Sequence, residues 1–337
     1  VANLGRLKKE VVGTLKEVFF TVFMLLKIII PVSIVVKILS HFGIIETIGR
    51  ILTPVMRAVG LPGESGLIWA TAMVTNIYGG LIVFFTMAGK ISFTMAQVTV
   101  LSTMILVAHS MPVELRIAHA AGVRLWFMLV LRVTAAFLLG FILHQIYDGF
   151  HLLQGASRIL WKPAEIDPSL ISWLLSQLKS YAMIFLIIFV LIAIMRILKV
   201  TGVIAKLNRV LNPLLRFLGM SKDAAPLTII GITLGISYGG GLIIKEARSG
   251  ALSKRDIFLS LSLMGLSHSL IEDTLVMVAM GASLTGILLG RILFTFLVML
   301  MLIRIINRIS NNVFMKFFVR RDKESSESEK SRECGEY

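Results

Sequence analysis

Residues 66–88 read GLIWATAMVTNIYGGLIVFFTMA, 23 positions without a charge. A helix needs about 20 apolar residues to cross the hydrocarbon core of a bilayer, so the length fits a membrane span. The middle does not fit an ordinary one. Thr75-Asn76-Ile77-Tyr78-Gly79-Gly80 places an amide, a phenol and a glycine pair at mid-span. Backbone that leaves helix geometry inside lipid must be satisfied by protein or line a wet cavity. The stretch therefore predicts a helix interrupted within the membrane, with the glycines supplying the positive φ of a tight turn. A second uncharged run of the same length, residues 91–113, follows directly.

The rest of the chain agrees. Its 337 residues are 56% hydrophobic and 16% charged, with a mean hydropathy of +0.88, against about 25% charged in soluble domains. This composition defines an integral membrane protein and excludes a soluble enzyme, a secreted disulfide scaffold and a disordered chain. The single cysteine, Cys334, lies in the polar tail, so no disulfide framework and no cysteine metal site is expected within the membrane. A net charge of +15 is explained by Lys and Arg flanking apolar spans rather than by nucleic acid. Arg6, Lys8 and Lys9 precede an apolar run that continues past Leu39 without a small-residue cleavage site, which reads as a first transmembrane helix.

The chain also repeats itself. Gly43, Pro54, Arg57 and Gly60 return as Gly202, Pro213, Arg216 and Gly219, each 159 positions later. His109-Ser110 returns as His268-Ser269, Gly122 as Gly281 and Arg132 as Arg291, while Tyr78-Gly79-Gly80 returns as Tyr238-Gly239-Gly240 at an offset of 160. Two homologous halves, 1–160 and 161–319, are followed by a tail at 320–337 whose Ser, Glu and Lys content predicts disorder. Each half opens with a long apolar helix, Glu17 to Ser40 (kinked at Pro31) or Ser169 to Lys199. Next come an amphipathic interfacial segment, the Tyr-Gly-Gly segment, a helix ending in His-Ser, and a last span carrying Arg132 or Arg291.

Lys and Arg counts decide between two topologies, because cytoplasmic loops carry the excess. If both Tyr-Gly-Gly segments cross the bilayer, 19 lie inside and 9 outside; if both are re-entrant hairpins, the counts are 23 and 5. The second arrangement segregates charge better. It gives three full crossings per half, six in all plus two re-entrant hairpins, with both termini cytoplasmic and the second half inverted, as in secondary transporters.

Two constellations could bind a solute. The hairpin tips offer backbone amides together with Asn76, Tyr78, Gly79 and Gly80, and in the second half Ser237, Tyr238, Gly239 and Gly240; close helix packing is the alternative role for the glycines. Gly286 and Gly290 lack polar company and read as packing positions. The other constellation is His109, Ser110 and Glu114 with their counterparts His268, Ser269, Glu272 and Asp273. Ionisable groups inside a membrane are costly and face a cavity or one another. Pro112 frees a carbonyl and marks a break there, and histidine carries a proton near neutral pH. Capping of helix ends is the structural alternative. Arg132 and Arg291 have these carboxylates as partners, could hold an anionic group, or snorkel to the interface. No cofactor, metal site or enzyme centre is expected: His109 and Ser110 are adjacent rather than placed as base and nucleophile, and no phosphate loop occurs.

The order Gly, Pro and Arg, then Tyr-Gly-Gly, then His-Ser followed by an acidic residue, present twice, resembles the nucleoside-recognition or Gate domain family. That family includes parts of concentrative nucleoside transporters, the membrane domain of the bacterial ferrous-iron transporter and the spore maturation membrane proteins. The resemblance extends to about Ile309 and implies paired Gate repeats around a central site. The expectation is an all-α transporter for a small polar solute, nucleoside-like or an ion, in the plasma membrane. Its partners are lipids and that solute, a homo-oligomer is left open, and nucleic acid is not expected. The alternative is a non-transporting scaffold or partner subunit like the spore maturation proteins.

Overall fold

The computed structural model describes residues 44–88, 91–157, 201–250 and 252–320, with scattered positions in 23–42 and 171–198. The expected first helices of each half, Glu17 to Ser40 and Ser169 to Lys199, lie largely outside the described residues, as does the tail beyond 320. Everything regular among the described residues is helical; β-pairing is confined to two isolated bridges, Thr94 with Ala156 and Val123 with Val319.

The same order of elements appears twice. In the first half the helices are α1 (Ile44–Ala58), α2 (Ser65–Val74), α3 (Ile77–Ala88), α4 (Met95–Val107), α5 (Met111–Ala120) and α6 (Leu125–Gly149). In the second they are α7 (Val203–Phe217), α8 (Ala224–Leu234), α9 (Ile236–Ser249), α10 (Lys254–Ser267) and α11 (Glu272–Ala279). A π-helical turn (Thr285–Gly290) then runs into α12 (Arg291–Arg308), and a short α13 (Asn311–Phe317) follows. Among the described residues, four segments are long and apolar enough to cross a membrane: Met95–Ala120, Leu125–Gly149, Lys254–Ala279 and Thr285–Arg308.

Local chemistry starts and stops these helices alike in both halves. Thr94 Oγ1 accepts from Gln97 N at 3.2 Å while Gln97 Oε1 accepts from Thr94 N at 3.1 Å, a reciprocal cap for α4. At the equivalent start of α10, Ser253 Oγ accepts from Asp256 N at 3.0 Å. The third residue of each cap also reaches the loop after the amphipathic helix: Gln97 Nε2 donates to Gly60 O at 3.2 Å, and Asp256 Oδ1 accepts from Ser221 N at 3.0 Å. That loop begins with a left-handed glycine in each half, Gly60 at φ +70 and Gly219 at φ +74. Around it, Leu61 N donates to Met56 O and Met220 N to Leu215 O, closing the helix end.

The two glycines differ in what surrounds them. A Cβ on Gly60 would run into the His144 ring, whereas nothing lies within 4 Å of one on Gly219. Both alanine variants incur the left-handed strain of about 1–2 kcal/mol, but Gly60→Ala adds overpacking of about 1–3 kcal/mol. Thermal unfolding of the two purified variants should show the larger loss for Gly60→Ala. Equal losses would mean that the imidazole simply swings aside.

Contacts divide the chain into two compact units that cut across the repeat order. The first comprises Val1–Ser110, Ala136–Lys206 and Ile271–Arg291; the second comprises Met111–Ala135, Leu207–Leu270 and Ile292–Tyr337. In the first unit α2 packs on α1, α3 and α4, and α11 and the π-helical turn pack on α4. In the second, α8 packs on α9 and α10, and α5 packs on α9. Each unit thus takes its early helices from one repeat and its completing helix from the other, and the chain changes unit at His-Ser in both.

The second unit is closed at one end by aromatic packing of Phe127, Phe258, Phe314 and Phe318, with ring centroids 4.8 to 5.9 Å apart. Arg124 ties that end down, donating Nε to Val319 O at 3.0 Å. In the first unit the π-helical turn fits because Gly286 has no side chain. A Cβ there would lie 2.5 Å from Thr99 Cγ2 and 2.8 Å from the Tyr147 hydroxyl, which is the packing role read from the sequence.

Candidate functional site

The interruptions foreseen in the sequence are present, but their residues do other work. α2 and α3 have 10 and 12 residues, each well short of the roughly 20 needed to cross. The chain leaves helix geometry at Thr75, with φ −103 and ψ −96. Gly79 and Gly80 already lie inside α3, so the expectation that they supply a positive-φ turn is not met. Gly79 N donates to Asn76 Oδ1 at 2.9 Å, so the Asn76 side chain caps α3. Gly80 is a packing position: a Cβ on it would lie 2.7 Å from Ala72 Cβ and 3.4 Å from Ile68 O. In the second half Ser237, Tyr238, Gly239 and Gly240 open α9, and the positive φ belongs instead to Gly235, at +99. Sequence reading missed Gly235 because its counterpart in the first half is a capped break with no glycine.

The second pair of interruptions falls at His-Ser itself. α4 stops at Val107 and α5 starts at Met111; α10 stops at Ser267 and α11 starts at Glu272. Pro112 is not the cause, since it sits in the first turn of α5, where a missing N–H leaves no bond unmade. Ser110 and Ser269 instead adopt left-handed conformations, φ 49 and φ 45. Non-glycine residues hold that conformation at a cost of order 1 kcal/mol or more and only where their surroundings enforce it. Here the enforcement is a bond to the neighbouring broken helix: Ser110 N donates to Ala72 O at 3.0 Å, and Leu270 N to Ile232 O at 2.8 Å. Within each unit, therefore, two broken helices are joined at their breaks.

The charged side chains gather at these junctions. In the second unit Glu114 bridges two partners: its Oε2 is 2.7 Å from Arg132 Nη1 and its Oε1 3.2 Å from His268 Nε2. Glu114, Arg132 and His268 are 4, 1 and 2% exposed, so the alternative of an arginine snorkelling to the interface is overturned for Arg132. It is overturned for Arg291 too, which is fully buried in the first unit and donates Nη2 to Leu106 O at 3.1 Å. In the same unit His109 Nε2 lies 3.7 Å from Asp273 Oδ2, and the Tyr78 hydroxyl donates to Glu272 Oε1 at 3.4 Å. Both histidines also cap their own helix end, Nδ1 facing Ile105 O or Met264 O at 2.9 Å.

Each junction thus joins residues of both repeats: His109 meets Asp273 of the second repeat, and His268 meets Glu114 of the first. The offset of 159 makes Glu114 the counterpart of Asp273, which leaves Glu272 opposite Val113. The first unit accordingly has a carboxylate that the second lacks, held by Tyr78 at the α2–α3 break. That difference was readable from the numbering; the exchange of partners between repeats was not.

Helices that break beside buried charges, in a chain this apolar, define a helical membrane protein with charge buried at its helix breaks. The comparisons agree with that class. Residues 22–127 match the Gate family, described as nucleoside recognition, so the resemblance read from the motifs is borne out there. The chain is similar to an uncharacterised membrane protein of Bacillus subtilis (strain 168), YvoD. The two are 28% identical over 293 residues, covering 85% of this chain and 91% of that protein. No solved structure matches.

Proposed function

We propose that the protein is a transporter for a small polar solute, its two repeats inverted in the membrane, with α2–α3 and α8–α9 as re-entrant hairpins and both termini cytoplasmic. The observation that supports this most is the pair of junctions where broken helices meet beside buried charge. Paired broken helices whose freed backbone and polar side chains surround a site are the usual architecture of secondary transporters. Tyr78, Glu272, His109 and Asp273 are the residues we assign to the solute, with Ser110 and Asn76 shaping the breaks. In the second unit Ser269 shapes the break beside Glu114, Arg132 and His268. The match of residues 22–127 to a family described as nucleoside recognition makes nucleosides and nucleobases the first solutes to try.

The test is a thermal-shift screen of the purified protein against nucleosides, nucleobases, metal ions and anions, followed by uptake of each hit into proteoliposomes. A true ligand at 100 times its dissociation constant stabilises by about 2.7 kcal/mol. Tyr78→Phe and Glu272→Gln should reduce both the shift and the uptake at least tenfold in affinity. No shift and no uptake for any member of the screen would sink the transporter reading in favour of a scaffold.

A further inference from the structure

Both histidines at the junctions stand between two oxygen acceptors. His268 has Met264 O at 2.9 Å from Nδ1 and Glu114 Oε1 at 3.2 Å from Nε2. His109 has Ile105 O at 2.9 Å from Nδ1 and Asp273 Oδ2 at 3.7 Å from Nε2. A neutral imidazole has one N–H and one lone pair, so it donates to only one of two such neighbours. The second contact becomes a hydrogen bond only when one more proton sits on the imidazole or on the carboxylate. A helix cap has no need of this arrangement, because one N–H facing the carbonyl completes it. The recurrence of a carboxylate from the other repeat at the second nitrogen, with His109 5% and His268 2% exposed, points beyond capping.

We infer that the His268–Glu114 and His109–Asp273 pairs are proton-binding sites. The first pair stands at hydrogen-bond distance, 3.2 Å, and the second at 3.7 Å. Binding takes one proton from solvent onto imidazole or carboxylate and returns the same proton, with no other bond made or broken. The charged and titratable groups placed against these pairs are Arg132 on Glu114 in the second unit and, in the first, Tyr78 on Glu272, the chain neighbour of Asp273. Coupling of these protons to a solute rests on the transporter reading, but proton binding does not, and it is tested without any solute.

The experiment is thermal unfolding of the full-length protein in detergent across about pH 5.5 to 8.5, which brackets the range where histidine ordinarily titrates. It compares wild type, His268→Gln, His109→Gln and the double variant. Glutamine keeps hydrogen bonding and does not titrate. The contact between His268 and Glu114 needs the extra proton, so the Tm of wild type should fall as pH rises. His268→Gln should lose most of that fall, and the double variant should keep only the slope due to the remaining histidines. Should His268→Gln fail to fold, Asp273→Asn makes the same test at the other pair, because its amide donates to a neutral His109. A double variant, or Asp273→Asn where that is used, that retains the wild-type slope overturns the inference, as does a Tm that rises with pH. Absent uptake in the solute screen would overturn transport and leave this result standing.

Discussion

Arg132→Met is expected to lower the stability of the protein by about 3–5 kcal/mol, the cost of leaving one member of a buried ion pair without its partner. Glu114 is 4% exposed and has Arg132 Nη1 at 2.7 Å; with the guanidinium gone, its charge would keep His268 Nε2 at 3.2 Å but lose the permanent cation that balances it. Conversely, a buried pair replaced by well-packed apolar residues is often neutral or stabilising. Arg132→Met combined with Glu114→Leu should therefore recover most of the loss, though His268 then forfeits its carboxylate. Thermal unfolding of the purified single and double variants measures both steps. A double variant no more stable than Arg132→Met would show that packing around Gly265, whose Cβ position lies 3.5 Å from Arg132 Cδ, rather than charge, holds this junction.

The other large effect is expected at Gly80. A methyl there meets Ala72 Cβ at 2.7 Å, and α2 is not free to retreat because Ala72 O is bound by Ser110 N at 3.0 Å. Inserting carbon into a packed interface costs about 1–3 kcal/mol, so Gly80→Ala should destabilise by that amount and Gly80→Leu should abolish folded protein. The cause is specific enough to be reversed. Gly80→Ala with Ala72→Gly moves the same methyl to the other helix and should restore most of the Tm. Gly241→Ala, with nothing within 4 Å of its Cβ, should be neutral or slightly stabilising, since alanine favours helix over glycine by up to about 1 kcal/mol. If the swapped pair is as unstable as Gly80→Ala alone, the α2–α3 contact is not what the glycine protects.

Much of this architecture follows from one-dimensional facts. Hydropathy determines a membrane chain because uncharged runs of 23 residues have no favourable place in water. The offset of 159 determines the repeated order of elements, since homologous segments repeat their caps: Thr94 and Gln97 in one half, Ser253 and Asp256 in the other. The interruptions were legible too, because polar residues and glycines at mid-span conflict with a continuous helix. What misled was the assignment of cause. Glycine next to a break suggests a turn, yet Gly79 and Gly80 are helical and Gly80 has a helix against it, information carried by Ala72 and Ile68 rather than by its neighbours in sequence. Pro112 likewise suggested a break that Ser110, pinned to Ala72 O, makes two residues earlier.

Two histidines, two arginines and three acidic residues beside apolar spans are plain in the chain, and such charges must find partners because lipid offers them none. Which partners they find is a matter of folding. Charge is long-ranged and indifferent to sequence distance, so Glu114 had several eligible cations. Within the second unit, α5 packed on α9, with the start of α6, selected Arg132 and His268, while in the first α11 on α4 gave His109 to Asp273. Packing also separated Glu272 from Asp273, neighbours in the chain, sending one to Tyr78 and the other to His109. On a helix adjacent residues point about 100° apart, so two consecutive carboxylates reach two different groups.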